Sequence, residues 1–130
     1  MEQLFKECRI LPAVNQIESH VFYPQKEFVA YLNSKSVVAQ AWSPLAQGQE
    51  NIFEEDILLE IGKKYHKTAA QIALKYLLQM HITIIPKTSK VSRMKENRDL
   101  FDFTLTNQEM ERISKLNKNH TLYYWTEEWK

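Results

Sequence analysis

Three short apolar runs, Pro12-Ala-Val-Asn-Gln-Ile-Glu18, Val37-Val-Ala-Gln-Ala-Trp-Ser43 and Ile82-Thr-Ile-Ile-Pro86, are separated by stretches whose apolar residues recur at helical spacing. Runs this short, rich in β-branched or aromatic residues and bounded by turn signals, read as strands. Strands that alternate with helices are joined by crossovers, which makes the sheet parallel. Their near-continuous apolar character fits a parallel sheet covered by helices. Ligands of such sheets collect at the carboxyl ends of the strands, so chemistry is sought there.

The intervening helices carry their own start signals. Pro24 at a first helical position predicts a helix to about Lys35, with Phe28 and Leu32 on one face. Glu54 to Tyr65 aligns Ile57, Leu58, Ile61 and Tyr65 in one stripe. Thr68-Ala-Ala-Gln71 is a capping box for a helix to about Met80, and its face of Ala69, Ile72, Ala73, Tyr76, Leu77 and Met80, with Lys75 the lone charge, predicts deep burial. A further helix is expected over Ser92 to Leu100. Thr106-Asn-Gln-Glu109 is a second capping box, ahead of Met110, Ile113 and Leu116. Residues 117–130 read as an irregular aromatic tail, and residues 1–130 as one domain.

Composition removes several classes of function. The 130 residues are 44% hydrophobic, enough for a real core. Only two glycines are present, Gly48 and Gly62, which excludes GxGxxG and Walker-type phosphate loops. The single cysteine, Cys8, can form no internal disulfide and is expected to pack as a small apolar side chain. His20, His66, His81 and His120 lack metal-ligand spacing, so no metal site is expected. Seventeen Lys and Arg against sixteen Asp and Glu leave a net charge of +1, which disfavours nucleic acid and anionic membranes as partners. No apolar run approaches the roughly 18 residues that span a bilayer, and the first residues lack the order of a signal peptide, so a cytoplasmic location is expected.

The strand ends carry Asn15-Gln-Ile-Glu-Ser-His20, Trp42-Ser-Pro-Leu45 and Ile85-Pro-Lys-Thr88, the last followed by Arg93, Glu96 and Asn97. With Thr68-Ala-Ala-Gln-Ile-Ala-Leu74, Phe101-Asp-Phe103 and Leu105-Thr106, these strings from about Leu11 to Leu116 resemble, in order and spacing, the C-terminal half of the aldo-keto reductases. Members of that family are (β/α)8 barrels that reduce carbonyls with NADPH. The tail His120-Thr-Leu-Tyr-Tyr-Trp125 more loosely resembles the prostaglandin F synthase and diketogluconate reductase type.

The resemblance implies a partial (β/α)8 barrel of three parallel strands and an NADP(H) site. Gln16 would bond the nicotinamide carboxamide and the Trp42 ring would stack on the nicotinamide, where the family usually has tyrosine. Ser43 and Leu45 would lie along the pyrophosphate, Lys87, Thr88 and Arg93 would surround the 2′-phosphate, and Glu96 and Asn97 would bond the adenine. Two cations and a hydroxyl form a sensible anion cradle. The family usually has glycine where Ala46 stands, which raises the question of how closely the backbone approaches the pyrophosphate.

Reduction of a carbonyl also needs an acid whose pKa is lowered by a neighbouring cation. The family's tyrosine, lysine, aspartate and histidine belong to the other half of the barrel, and none of the six tyrosines here sits in such a motif, so no catalytic residue is assigned. The expected whole is therefore the cofactor-binding portion of a reductase of small aldehydes or ketones, a truncated or split form that is inactive alone. The competing reading is a non-catalytic module that self-associates or complements a separate N-terminal half-barrel. Residue by residue, blander readings stand beside each role: Gln16 as a buried polar group, Trp42 as a core aromatic, Lys87, Arg93 and Glu96 as a solvated face. His20, Tyr124 and Trp125 are candidate substrate contacts. The tail aromatics Tyr123, Tyr124, Trp125 and Trp129 either line a hydrophobic substrate pocket or, in a half-barrel, cover an exposed sheet edge or mediate association.

Overall fold

The computed structural model describes residues 1–123. Its elements run α1 (Glu2–Glu7), β1 (Val14–Glu18), α2 (Lys26–Ser34), β2 (Val38–Trp42), the broken 3-10 segment Ala46–Glu54, α3 (Asp56–Tyr65), α4 (Ala69–Gln79), β3 (Ile82–Ile84), α5 (Val91–Arg98) and α6 (Asn107–Ser114). The strands form one parallel sheet in the order β1-β2-β3, with Gln16 opposite Gln40, Glu18 opposite Trp42 and Ala41 opposite Ile84. The expected α/β partial barrel is the architecture observed.

Alternation along the strands divides the sheet into two unlike faces. Ile17, Ala39, Ala41 and Ile82 are buried against Val29 and Leu32 of α2, Leu58 and Ile61 of α3, and Ile72, Ala73, Tyr76 and Leu77 of α4. The alanines leave room for helices close above β2. On the other face Val14 and Val38 are 48% and 45% exposed, and Gln16 and Thr83 are exposed beside them. Among the described residues, no helix covers that face.

Helix α4 is buried along its length from Ala69 to Leu77, as its apolar face predicts. Both capping boxes form: Thr68 Oγ1 accepts from the Gln71 amide at 3.2 Å, and Thr106 Oγ1 from the Glu109 amide at 3.2 Å. Glu109 does more than cap, since it also accepts from Lys64 Nζ at 2.7 Å and the Tyr65 hydroxyl at 2.6 Å. Burial opposes its ionisation, but Lys64, Tyr65 and the Thr106 amide outweigh that and hold its carboxyl at about 2. A depressed carboxylate stabilises the fold above its unfolded pKa. This contribution is therefore expected to be lost as pH falls from 4.5 through about 2, and Glu109→Gln should flatten acid unfolding measured over that window.

Two helix starts differ most from the sequence reading. Pro24 lies ahead of α2 rather than in its first turn, because Gln25 turns left-handed at φ 50° and donates its side-chain amide to the Glu18 carbonyl. The helix expected from Glu54 begins at Asp56, preceded by Ala46–Glu54, where Ala46, Gln47, Gly48, Glu50 and Asn51 all have positive φ. At Ala46, fully buried at φ 49°, the resemblance leads one to expect glycine, and the backbone there is left-handed as glycine would allow. Replacing Ala46 by glycine should stabilise the protein by at most about 1 kcal/mol, read as a higher urea midpoint.

Candidate functional site

A groove of about 800 Å³ opens at the carboxyl ends of β2 and β3. Its walls come from the β2 end (Trp42, Ser43, Leu45), the broken segment after it (Gln47, Gly48, Phe53), the start of α4, the β3 end (Lys87, Thr88) and α5 (Arg93, Glu96, Asn97). This volume lies within the range of small-molecule sites. Eight of the nine residues to which the resemblance gives cofactor roles thus line one groove. They come from three stretches of chain: the β2 end, the β3 end and α5.

The groove is chemically graded. Trp42 is half-buried, with its ring 4.8 Å from the Tyr123 ring, so it presents an aromatic surface rather than disappearing into the core. Ser43 accepts from Gln47 Nε2 at 3.1 Å, which ties the broken segment to the strand end. Lys87 and Arg93 are exposed, and the Thr88 hydroxyl accepts from the Lys90 amide at 3.1 Å. Glu96 Oε1 accepts from the Thr68 hydroxyl at 2.6 Å.

Gln16 does not line the groove. It stands on the open sheet face and donates to Gln40 Oε1 at 2.7 Å, so it is an exposed group and not the buried one of the blander reading. Alternation puts Gln16, Gln40 and Trp42 on the same face. Tyr124 and Trp125, with Trp129, lie outside the described residues.

His20 is likewise not brought to the groove. It is fully buried, 3.0 Å from Glu18 Oε1, with its ring tilted against Phe22 and Tyr23. Glu18 is also buried and accepts from the Thr121 hydroxyl and from the Leu122 amide at 3.0 Å. Glu18 therefore anchors the tail to the end of β1. Burial pushes the His20 imidazole below its usual 6.5, against the hydrogen bond and charge of Glu18 and the charge of Glu50, while His120 adds to the lowering. A base with a depressed folded pKa binds more protons when unfolded. Stability should therefore fall as pH drops below 6.5, and urea midpoints of His20→Gln should lose that slope between about pH 7 and pH 5.

Thr68, Ala69, Ala70 and Phe53 line the groove without having been expected there. The first three are the opening of the capping box, where small side chains at a helix start leave space beside the strand ends. That signal was present in the sequence, masked by its structural use.

The chain matches the model of the aldo/keto reductase family over residues 1–118, and it belongs to that family. It is 40% identical over 119 residues to the glyoxal reductase of Bacillus subtilis, covering 92% of this chain and 42% of the relative. With the 9,11-endoperoxide prostaglandin H2 reductase of Trypanosoma cruzi it shares 38% identity over 120 residues, again 92% of this chain and 42% of the relative. Among solved structures, an aldo-keto reductase of Bombyx mori in complex with NADP superposes with a TM-score of 0.88 at 32% identity, over 97% of this chain and 44% of that one. The chain thus spans about two fifths of the length of these curated relatives. Among the described residues no helix is long and apolar enough to cross a membrane.

Proposed function

We propose that this chain is the dinucleotide-holding portion of an NADP(H)-dependent aldo-keto reductase acting on small aldehydes or ketones. The observation that carries this reading is the groove that gathers Trp42, Ser43, Leu45, Lys87, Thr88, Arg93, Glu96 and Asn97 at two neighbouring strand ends. The donor set fits such a ligand: an aromatic face at the β2 end, and two cations with a hydroxyl at the β3 end. When bound, the dinucleotide supplies hydride to the carbonyl carbon. Trp42 offers its ring to the nicotinamide, Ser43 and Leu45 follow the pyrophosphate, Lys87, Thr88 and Arg93 neutralise the 2′-phosphate, and Glu96 and Asn97 meet the adenine. Gln16, which shares the Trp42 face, would bond the carboxamide.

Reduction also requires a proton at the carbonyl oxygen, and we read the described residues as lacking its donor. An acid tyrosine needs a lowered pKa, whereas burial raises Tyr123, raises Tyr65 together with its bond to Glu109, and takes Tyr76 to about 12. The chain should therefore bind NADPH saturably yet leave it unoxidised with a broad aldehyde panel. Absence of binding would sink the first half of this reading, and steady turnover the second.

A second reading has its own observation. Among the described residues β1 and β3 each pair only with β2, and Ile10, Leu11, Ile85 and Phe101 are exposed. Bare edges beside apolar surface favour association with a second copy or a separate half-barrel. Light scattering at rising protein concentration distinguishes the readings, since a strict monomer eliminates self-association.

A further inference from the structure

Helix α5 carries Arg93, Glu96 and Asn97, yet it has no buried residue. Hydrophobic burial, which holds the other long helices, therefore does little to fix this one. Its principal neighbour is α4, and the contacts between them are polar and concentrated at its C-terminal end. Gln71 Nε2 donates to the Glu96 carbonyl at 3.1 Å and to the Asp99 carbonyl at 3.0 Å. Lys67 Nζ meets Asp99 Oδ2 at 2.7 Å and Asp102 Oδ1 at 2.9 Å, with its side chain only 6% exposed. Lys75 Nζ donates to the Leu100 carbonyl at 2.8 Å and lies 5.3 Å from the centre of the Phe103 ring. Leu100 itself is buried just past the helix.

Lys67, just ahead of the α4 cap, and Gln71 and Lys75, one helical turn apart on α4, thus hold residues 96–102 by their backbone and acidic groups. The N-terminal turn of α5, with Val91 and Arg93 exposed, projects beyond this fixed end. Where Arg93 stands is then set by residues that never touch the ligand.

We propose that Lys67, Gln71 and Lys75 are positioning residues that set the preference for a 2′-phosphorylated dinucleotide by fixing α5. This inference rests on the dinucleotide reading above and adds to it the determinant of specificity. Loosening α5 frees Arg93, whose partner only the 2′-phosphate supplies, together with Glu96 and Asn97, which meet the adenine of either dinucleotide, so it weakens NADP+ more than NAD+. A general loss of structure would weaken both by the same factor.

The test compares Gln71→Ala, Lys75→Met and the milder surface change Asp99→Asn with the parent protein in two measurements. Without ligand, amide exchange across 91–98 should quicken about tenfold while α4 keeps its protection. In titrations, the Kd for NADP+ should rise about tenfold and that for NAD+ about threefold, with Asp99→Asn showing a smaller change in the same direction. Lys75→Arg, which keeps a charged donor near the Leu100 carbonyl, should restore both readouts. Unchanged exchange across 91–98, or an unchanged ratio of the two Kd values, would overturn the proposal. A parent protein that binds neither dinucleotide would overturn the functional reading instead, and the exchange rates would then decide whether Lys67, Gln71 and Lys75 fix α5.

Discussion

Replacing Lys87 and Arg93 together by alanine should weaken NADP+ binding about 100-fold while NAD+ changes by less than about threefold. Each cation meeting a phosphate contributes about 1.5–3 kcal/mol when shielded, but both groups are exposed at the groove rim, so about 1–1.5 kcal/mol each is the sounder figure. Two such losses multiply to the stated factor. Exposure has a second consequence, because screening reaches both charges. The parent protein's affinity for NADP+ should fall with added salt more steeply than that of the double variant. Equilibrium titrations at two ionic strengths, followed by tryptophan fluorescence, check both expectations. Equal losses for the two dinucleotides would show that the cations support the groove generally and do not read the 2′-phosphate.

The largest expected effect on stability falls at Gly62. Helix propensity alone favours alanine over glycine by about 1 kcal/mol in a helix interior, which predicts a gain. Packing reverses the sign. A Cβ at residue 62 of α3 would stand 2.4 Å from the Lys67 carbonyl oxygen, a backbone atom, with Ile72 Cγ1 3.7 Å away. The same turn is closed by the Lys67 amide donating to the Gly62 carbonyl at 2.9 Å, and by His66 at φ 55°, so the obstructing oxygen has little freedom to withdraw. Forced overpacking at the α3–α4 junction should cost about 3 kcal/mol net in Gly62→Ala, seen as a lower urea midpoint with an unchanged m value. A variant as stable as the parent would mean that the turn relaxes and that the close approach is not what glycine serves.

What could be read in advance divides along physical lines. Signals confined to a few residues held: Thr68 with Gln71 and Thr106 with Glu109 cap helices as their spacing requires, and the β-branched runs form the three parallel strands. Those runs are trimmed at Pro12 and Pro86, which lie outside the ladder. The Ala46–Glu54 segment was illegible because its backbone turns left-handed at Gln47 and Glu50, residues that advertise no turn, with only Gly48 and Asn51 as local cues. Groove residues could be named through the family strings, but their convergence depends on pairings between distant strands. The hold of Lys67, Gln71 and Lys75 on residues 96–102 was equally hidden, since each donor lies 25 or more residues from its acceptor. His20 looked like a strand-end ligand by position, and only the fold reveals that Glu18, Phe22 and Tyr23 enclose it.

The central claim is that residues drawn from two strand ends and α5 form a site selective for the 2′-phosphorylated dinucleotide. Calorimetric titration of the unaltered chain with NADP+ and, separately, with NAD+ tests it most directly. The account predicts saturable binding of one NADP+ per groove, at least about tenfold tighter than NAD+. Failure of NADP+ to saturate, or equal affinity for the two dinucleotides, would contradict it.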